Sequence, residues 1–93
     1  PHHRHTVGID TLTITPPSED GYKYIITIVN HYTHHVYLYP AKTHDAENVA
    51  NALMGYIGKF GLFDELVTDP GSDLTSQAVQ DLNSWLYSGT KYL

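Results

Sequence analysis

A strand, a tight turn and the start of a helix follow one another in Val67-Thr68-Asp69-Pro70-Gly71-Ser72-Asp73-Leu74-Thr75-Ser76. The strand should stop near Pro70, because proline cannot donate to a sheet hydrogen-bond ladder. Gly71 permits backbone angles that other residues resist. Ser72 and Thr75 are both candidate helix caps, and the helix is predicted to begin at Thr75. The Asp69 carboxylate then lies at the carboxyl end of a strand, where open α/β sheets carry their sites.

The same residue types also favour ordinary corners between a strand and a helix, since Asp and Gly are common in turns. The rest of the chain therefore has to decide between a site and a turn. Upstream, three strands are predicted at residues 6–15, 22–30 and 36–39, the last ended by Pro40. Their short connections make them antiparallel. The continuous apolar run of the second predicts a central strand covered on both faces.

Asp10 is a second candidate site residue, because the strand alternation places it on the same face as Leu12 and Ile14. A carboxylate on an apolar strand face costs free energy unless it is paired, hydrogen-bonded or bound to a metal. If that face is half open to water, the carboxylate needs no such partner. The strand pattern alone leaves both explanations open.

Two helices are predicted from apolar residues at helical spacing. The first has Thr43 as its cap, two acidic residues in its first turn and Gly61 just past its last turn. Its inward stripe consists of Val49, Leu53, Ile57 and Phe60. The second is predicted to run from Thr75 to Gly89, with an inward set of Val79, Leu82 and Leu86, flanked by Trp85.

A fourth strand at residues 66–68 is reached through the first helix, so it should lie parallel to the first strand. Residues 90–93 are predicted to open a fifth strand. The order β-β-β-α-β-α-(β) gives an α/β fold with a mixed sheet. The chain divides into a linker or frayed terminus at residues 1–5 and one domain at residues 6–93.

Composition narrows the function classes. The 93 residues fit one domain, and the absence of cysteine excludes disulfide and thiolate metal sites. No apolar run approaches the roughly 18 residues that span a bilayer, so a soluble intracellular domain without a membrane partner is expected. The net charge of −5 counts against strong nucleic-acid binding by this segment alone. The early cluster of His2, His3 and His5 lacks the spacing of a zinc site.

Residues 68–76 resemble the second-aspartate segment of retroviral and gypsy-type retrotransposon integrases, which reads Asp-x-Gly-Ser-(Gln/Glu/Asp)-(Phe/Leu)-Thr-Ser. Other landmarks of that family follow in the same order along nearly the whole chain. They are Gly8-Ile9-Asp10 for the first-aspartate strand, Asp20-Gly21-Tyr22-Lys23-Tyr24-Ile25, Val29-Asn30-His31-Tyr32-Thr33, and the pairs Phe60-Gly61 and Trp85-Leu86. The resemblance implies the ribonuclease-H-like fold of the integrase catalytic core.

The resemblance also implies a function. Asp10 and Asp69 would be catalytic metal ligands for Mg²⁺ or Mn²⁺, with two ions in the complete site and DNA, both element ends and target, as the substrate. Ser72 and Thr75 are helix-capping candidates first and candidates for nucleic-acid contact second. Asp73 is first a carboxylate in a favourable dipole position and second a candidate for nucleic-acid contact. The family further implies a homo-oligomer that acts in the nucleus or in a virus-like particle.

The chain departs from the family pattern at the third carboxylate. The family's third carboxylate is a glutamate some three dozen residues after the second aspartate, and from Asp69 that position falls beyond Leu93. The chain is therefore expected to hold the first two-thirds of the core, to be inactive by itself, and to expose apolar surface. Marginal stability or association between copies should follow. The alternatives are a domesticated or truncated module that only binds a partner, and a ribonuclease-H-type nuclease.

Overall fold

The computed structural model describes residues 5–68 and 73–91, with side chains described as far as residue 86, and it confirms the predicted order of the first six elements. The elements, in chain order, are β1 (Thr6–Thr13), β2 (Tyr24–Asn30), β3 (Val36–Ala41), α1 (Ala46–Phe60), β4 (Glu65–Val67) and α2 (Asp73–Lys91). The strands form one sheet in the order β3-β2-β1-β4. The fold is α/β with a mixed sheet.

The pairing of the strands follows the connections between them. β1 with β2 and β2 with β3 are antiparallel, whereas β4 returns through α1 and pairs parallel to β1, as the crossover rule predicts. In the antiparallel register Asp10 lies opposite Thr27. In the parallel register Val7 lies opposite Leu66 and Gly8 opposite Val67.

The prediction that β2 is covered on both faces is wrong. Ile26, Ile28 and Asn30 are buried, while the residues between them are only partly covered. β2 does occupy an inner position, between β1 and β3. Its apolar run therefore reflects one packed face and one partly open face.

The open face of the sheet carries several large apolar side chains. Leu12 is 53% exposed, Leu38 is 58% exposed, and Val36 and Val67 are also exposed. The strand registers place these residues on the same face as Gly8 and Asp10. The predicted exposure of apolar surface is confirmed for the described part of the chain, and association between copies remains a prediction.

The hydrophobic core lies on the opposite face, beneath the two helices. α1 packs against β2, β3 and α2. The buried apolar residues of the core are Val7, Ile26, Ile28, Ala41, Val49, Ala50, Ala52, Leu53, Tyr56, Ala78 and Leu82. The predicted stripe of α1 is right at Val49 and Leu53, and only partly buried at its carboxyl end. Neither described helix is both long enough and apolar enough to cross a bilayer.

β3 extends beyond the predicted strand end. It continues to Ala41, with Pro40 opposite Ile25. β3 forms one edge of the sheet, and there a proline is tolerated because its missing N–H need not belong to a ladder. Proline therefore marks an edge position here and not the end of the strand.

The cap of α1 is Asp45 and not Thr43. Asp45 has extended backbone angles, and its Oδ1 accepts from the Asn48 backbone N–H at 2.9 Å. The Thr43 hydroxyl donates to Asp45 Oδ2 at 2.7 Å, so it holds the cap in place. At the other end Gly61 has φ 98° and donates its N–H to the Ile57 carbonyl, which confirms the predicted stop.

Gly55 lets α1 approach the sheet. A Cβ at this position would overlap the Tyr37 hydroxyl on β3. No atom lies within 4 Å of a Cβ built at Gly58, so that glycine serves no close contact among the described residues. Of the two glycines in α1, only Gly55 is required by packing.

α2 is longer than predicted at both ends. It begins at Asp73, two residues before Thr75, and continues through Gly89 to Lys91. The predicted fifth strand is therefore wrong at residues 90 and 91, and its remainder lies outside the described residues. A glycine in a helix interior costs about 1 kcal/mol relative to alanine, which does not by itself end a helix.

Asn30 is the buried polar residue of the sheet, and both its amide nitrogen and its amide oxygen form hydrogen bonds. Its Nδ2 donates to the Tyr56 hydroxyl of α1 at 3.1 Å. Its Oδ1 accepts from the backbone N–H groups of Tyr32 and Thr33 at 2.8 and 2.9 Å. Asn30 thus joins the end of β2 to α1 and fixes the turn that follows.

Replacing Asp45 with alanine should lower the free energy of unfolding by about 1 kcal/mol at pH 7. The hydrogen bond from the Asn48 backbone, then that from Thr43, holds the Asp45 pKa below its usual value, against a small opposing effect of burial. A carboxyl with a depressed folded pKa stabilises above its unfolded pKa of about 3.9 and loses that contribution as pH falls through the folded pKa. Urea unfolding at pH 7 and pH 3 should show the difference from wild type shrinking at pH 3.

The matched control is Glu19→Ala, which removes an exposed loop carboxylate for which the described residues show no hydrogen bond. It should leave the free energy of unfolding within about 0.5 kcal/mol of wild type at pH 7. Equal losses in the two variants would contradict the assignment of Asp45 as the cap.

Replacing Tyr56 with phenylalanine should lower the free energy of unfolding by about 1–3 kcal/mol, because the buried Asn30 amide then loses its acceptor. Urea unfolding measures the change, with Tyr39→Phe as the control. Tyr39 is only partly buried, and its hydroxyl has no hydrogen bond among the described residues. If the two substitutions cost the same, the Asn30–Tyr56 bond is not the cause.

Candidate active site at the edge of the sheet

Asp10 lies on the open face of β1 and is exposed to solvent. Its Oδ1 accepts from the backbone N–H of Thr11 at 2.9 Å, and its carbonyl accepts from the Thr27 hydroxyl at 3.2 Å. The Asp10 carboxylate therefore loses little hydration on folding. Of the two explanations left open by the strand pattern, the one in which this face is open to water is correct. The exposed Asp10 carboxylate remains accessible to a ligand from solvent.

A hollow of about 200 Å³ lies beside Asp10 on the side of the helices. Its walls come from β1, from the segment before α1, from the end of β4 and from α2. The lining residues are Ile9, Asp10, Thr11, His44, Val49, Thr68 and Thr75. Hydroxyl and carboxylate oxygens thus converge at this end of β1.

A second hollow, of about 290 Å³, lies on the open face of the sheet. Its lining residues are Gly8, Ile9, Asp10, Thr27, Val29, His31, Val67 and Thr68. Asp10 and Thr68 border both hollows, so β1 and the end of β4 separate them. Among the described residues, Asp10 is the only carboxylate that lines either hollow.

Asp69 and Ser72 lie outside the described residues, so their sequence-based assignments remain predictions. The described chain leaves β4 at Thr68, immediately before Asp69, and Thr68 is already beside Asp10 in both hollows. The segment that contains Asp69 and Ser72 therefore starts at this edge of the sheet.

The structure separates the other two candidates. Thr75 lines the helix-side hollow, is 8% exposed, and its hydroxyl accepts from that of Thr68 at 3.4 Å. It does not begin the helix but lies in the first turn of α2. Asp73 is exposed at the start of α2 and is not among the lining residues of either hollow.

Two histidines at the hollows were missed by the sequence analysis. His44 Nε2 lies 3.4 Å from the Thr11 hydroxyl, and its ring centroid lies 5.5 Å from that of Tyr24. His31 borders the other hollow, above Gly8. His31 directly follows a predicted strand, and His44 directly follows the predicted helix cap Thr43. Such positions are only a weak signal of a site, and no spacing rule connects either histidine to Asp10.

The oxygen atoms around Asp10 suit a hard cation. Magnesium and manganese ions prefer carboxylate and other oxygen ligands, and the hollows offer Asp10 together with threonine hydroxyls. Across residues 5–68 and the described part of α2, no three His, Asp or Glu side chains are grouped closely enough to hold a metal ion. The described residues therefore fit part of a magnesium site, to which further carboxylates would have to contribute.

Three comparisons with known proteins agree with this architecture. The chain is 30% identical over 81 residues to the retrovirus-related Pol polyprotein from transposon 412 of Drosophila melanogaster, a match that covers 86% of the chain and 6% of the polyprotein. The chain thus spans a small part of that relative.

Among solved structures, the catalytic core domain of HTLV-2 integrase, described as a dimeric form in complex with magnesium, matches with a TM-score of 0.70 at 18% identity. The match covers 88% of this chain and 56% of that one, and at this identity it shows a shared fold. The family model described as integrase core domain matches residues 2–87. The chain belongs to the integrase core domain family.

Proposed function

We propose that this chain is the catalytic-core portion of an integrase from a retrotransposon or retrovirus-like element, which processes DNA 3′ ends and joins them to target DNA. The observation that carries the proposal is the position of Asp10, exposed beside two hollows, next to the strand that leads into Asp69. The chain covers 56% of the HTLV-2 core, so the activity is assigned to the longer protein.

The parallel register supports a shared site for the two aspartates. Gly8 lies opposite Val67, Asp10 follows Gly8 by two residues, and Asp69 follows Val67 by two residues. Strands that are neighbours in a sheet lie about 4.8 Å apart, a separation at which two carboxylates can bind a common pair of ions. The proposal therefore assigns Asp10 and Asp69 as metal ligands, with Mg²⁺ or Mn²⁺ as the ions.

Asp10 and Asp69 would hold two divalent ions, together with a third carboxylate expected on a segment beyond Leu93. Bound there, the ions would activate the attacking oxygen and stabilise the leaving oxygen of an in-line phosphodiester exchange. Water is the nucleophile in 3′-end processing, and a DNA 3′-hydroxyl is the nucleophile in strand transfer. The chain's side chains form no covalent bond to DNA, so their contribution is to bind and orient.

Ser72, Asp73 and Thr75 are assigned less directly. Ser72 directly precedes α2 and is proposed to contact a DNA phosphate. Asp73 is exposed in the first turn and is proposed to contact or orient the DNA substrate away from its phosphates. Thr75 is mostly buried and contacts Thr68, so we propose that it supports the end of β4. A homo-oligomer in the nucleus or in a virus-like particle is the proposed setting of the whole protein.

An interaction module without catalysis is the second candidate function, and the exposed Leu12, Val36 and Leu38 on the open sheet face favour it. Such a surface is typical of sites that bind another protein. The coding sequence after Leu93 separates the two candidates. A glutamate on a helix some three dozen residues after Asp69 supports the enzyme, and its absence supports the module.

Manganese titration followed by NMR tests the metal site directly. Amide signals of Gly8, Thr11 and Thr68 should broaden at lower Mn²⁺ concentrations than the signals around Asp45, because a paramagnetic ion at Asp10 lies closest to them. Asp10→Asn should abolish this selective broadening, since the amide removes the negative charge with little change of shape. Asp69→Asn should weaken it.

The matched control is Asp20→Asn, which alters an exposed carboxylate in the loop between β1 and β2. It should leave the broadening at Thr11 unchanged. Broadening around Asp10 that is no stronger than that around Asp45, or that survives Asp10→Asn, would reject the metal site and with it the proposed function.

A further inference from the structure

The two hollows beside Asp10 contain few groups that can bind a phosphate. The chain carries a net charge of −5, and no lysine or arginine lines either hollow within the described residues. Lys42 and Lys59 instead lie over the rings of Tyr22 and Phe60, each 5.4 Å from the centroid. The nitrogen-bearing side chains at the hollows are those of His31 and His44.

His44 is already engaged by its neighbours. Its Nε2 lies 3.4 Å from the Thr11 hydroxyl, and its ring packs against that of Tyr24. For the ring nitrogens of His31, the described residues show no hydrogen-bond partner, and the residue is exposed. A neutral imidazole always carries one N–H donor and a charged one carries two. His31 is therefore the side chain at the site with a nitrogen donor available to a ligand.

The backbone at His31 is fixed from both sides. Its N–H donates to the Thr6 carbonyl of β1 at 2.8 Å. The Asn30 side chain accepts from the two residues after His31 and donates to the buried Tyr56 hydroxyl. The backbone that carries the His31 ring is thus anchored to β1 and to the core.

The His31 ring lies directly over Gly8. A Cβ built on Gly8 would lie 2.6 Å from His31 Nε2, which is closer than any ordinary contact. Gly8 and Asp10 are on the same face of β1, two residues apart, which corresponds to about 6.6 Å along a strand. The imidazole therefore borders the same hollow as Asp10.

We propose that the His31 imidazole donates a hydrogen bond to a phosphate oxygen of DNA bound in the open-face hollow that His31 shares with Asp10, and that Gly8 provides the space for this ring. The assignment rests on the proposed function, in that it takes a phosphodiester as the ligand of the site. It adds a substrate-binding residue outside the carboxylates. The ligand chemistry is the phosphodiester backbone, so the contact is independent of base sequence.

The test measures binding of a fluorescein-labelled, blunt-ended DNA duplex to the 93-residue chain by fluorescence anisotropy, at low salt and with EDTA. His31→Phe retains a ring over Gly8 but removes the donor, and it should weaken binding about tenfold, as expected for one hydrogen bond to a charged group. His31→Gln retains a donor and should restore most of the affinity. Urea unfolding verifies that each variant is folded.

The matched control is His34→Asn, in the same turn. His34 is exposed, lines neither hollow, and has φ 65°, a conformation that asparagine tolerates well. Its duplex affinity should equal that of wild type. An unchanged affinity in His31→Phe, equal losses in His31→Phe and His34→Asn, or no duplex binding by the wild-type chain would each overturn the proposal.

Gly8→Ala offers an independent check, because the added methyl group must displace the His31 ring. It should weaken duplex binding about as much as His31→Phe, and the double variant should be no weaker than either single one. Additive losses would show that Gly8 acts through something other than His31. For any variant that does not fold, NMR of the wild-type chain replaces it: the His31 ring signals should shift on duplex addition more than those of His34.

The metal-free conditions keep this test separate from that of the metal site. If His31→Phe loses affinity and no Mn²⁺ broadening occurs at Asp10, the phosphate contact is supported and the proposed integrase function is rejected. Selective Mn²⁺ broadening together with unchanged affinity in His31→Phe would reject the contact and leave the metal site standing.

Discussion

The site depends on the parallel pairing of β4 with β1. This pairing joins two segments that are far apart in the sequence, with Val7 opposite Leu66 and Gly8 opposite Val67. It requires the intervening chain to cross over the sheet, and α1 provides that crossover while it covers β2 and β3. Burial of Val7 on the helical face anchors β1, so the carboxylate three residues later is held at a defined position.

One-sided burial of the sheet explains how a carboxylate can lie on β1 with little loss of hydration. The helices cover one face, and the other face carries Asp10 together with the exposed Leu12 and Leu38. An exposed carboxylate retains most of its hydration, whereas a buried one would need a paired charge or several donors. The same openness gives a large polymer such as DNA access to the strand ends.

The sequence was sufficient for the order of the first six elements and for the antiparallel and parallel pairings, because these follow from alternation, helical spacing and crossover handedness. It was insufficient where tertiary context decides. Pro40 lies within β3 because β3 is an edge strand, and Asp45 replaces Thr43 as the cap because its side chain reaches the Asn48 N–H. The continuous apolar run of β2 could not show that one of its faces stays partly open.

His31 shows the same limit at the level of the site. Its neighbours Asn30 and Tyr32 suggest a turn after a strand, and only the folded chain shows the ring over Gly8. Hydrogen bonds connect the core to this residue. Tyr56 accepts from Asn30, and Asn30 accepts from the backbone of the turn. The turn carries His31, whose side chain borders the hollow beside Asp10. A substitution in the core at Tyr56 would therefore alter the turn that carries His31, and with it the proposed phosphate contact. The sequence shows no reason for glycine at position 8. In the folded chain a larger side chain there would collide with the His31 ring.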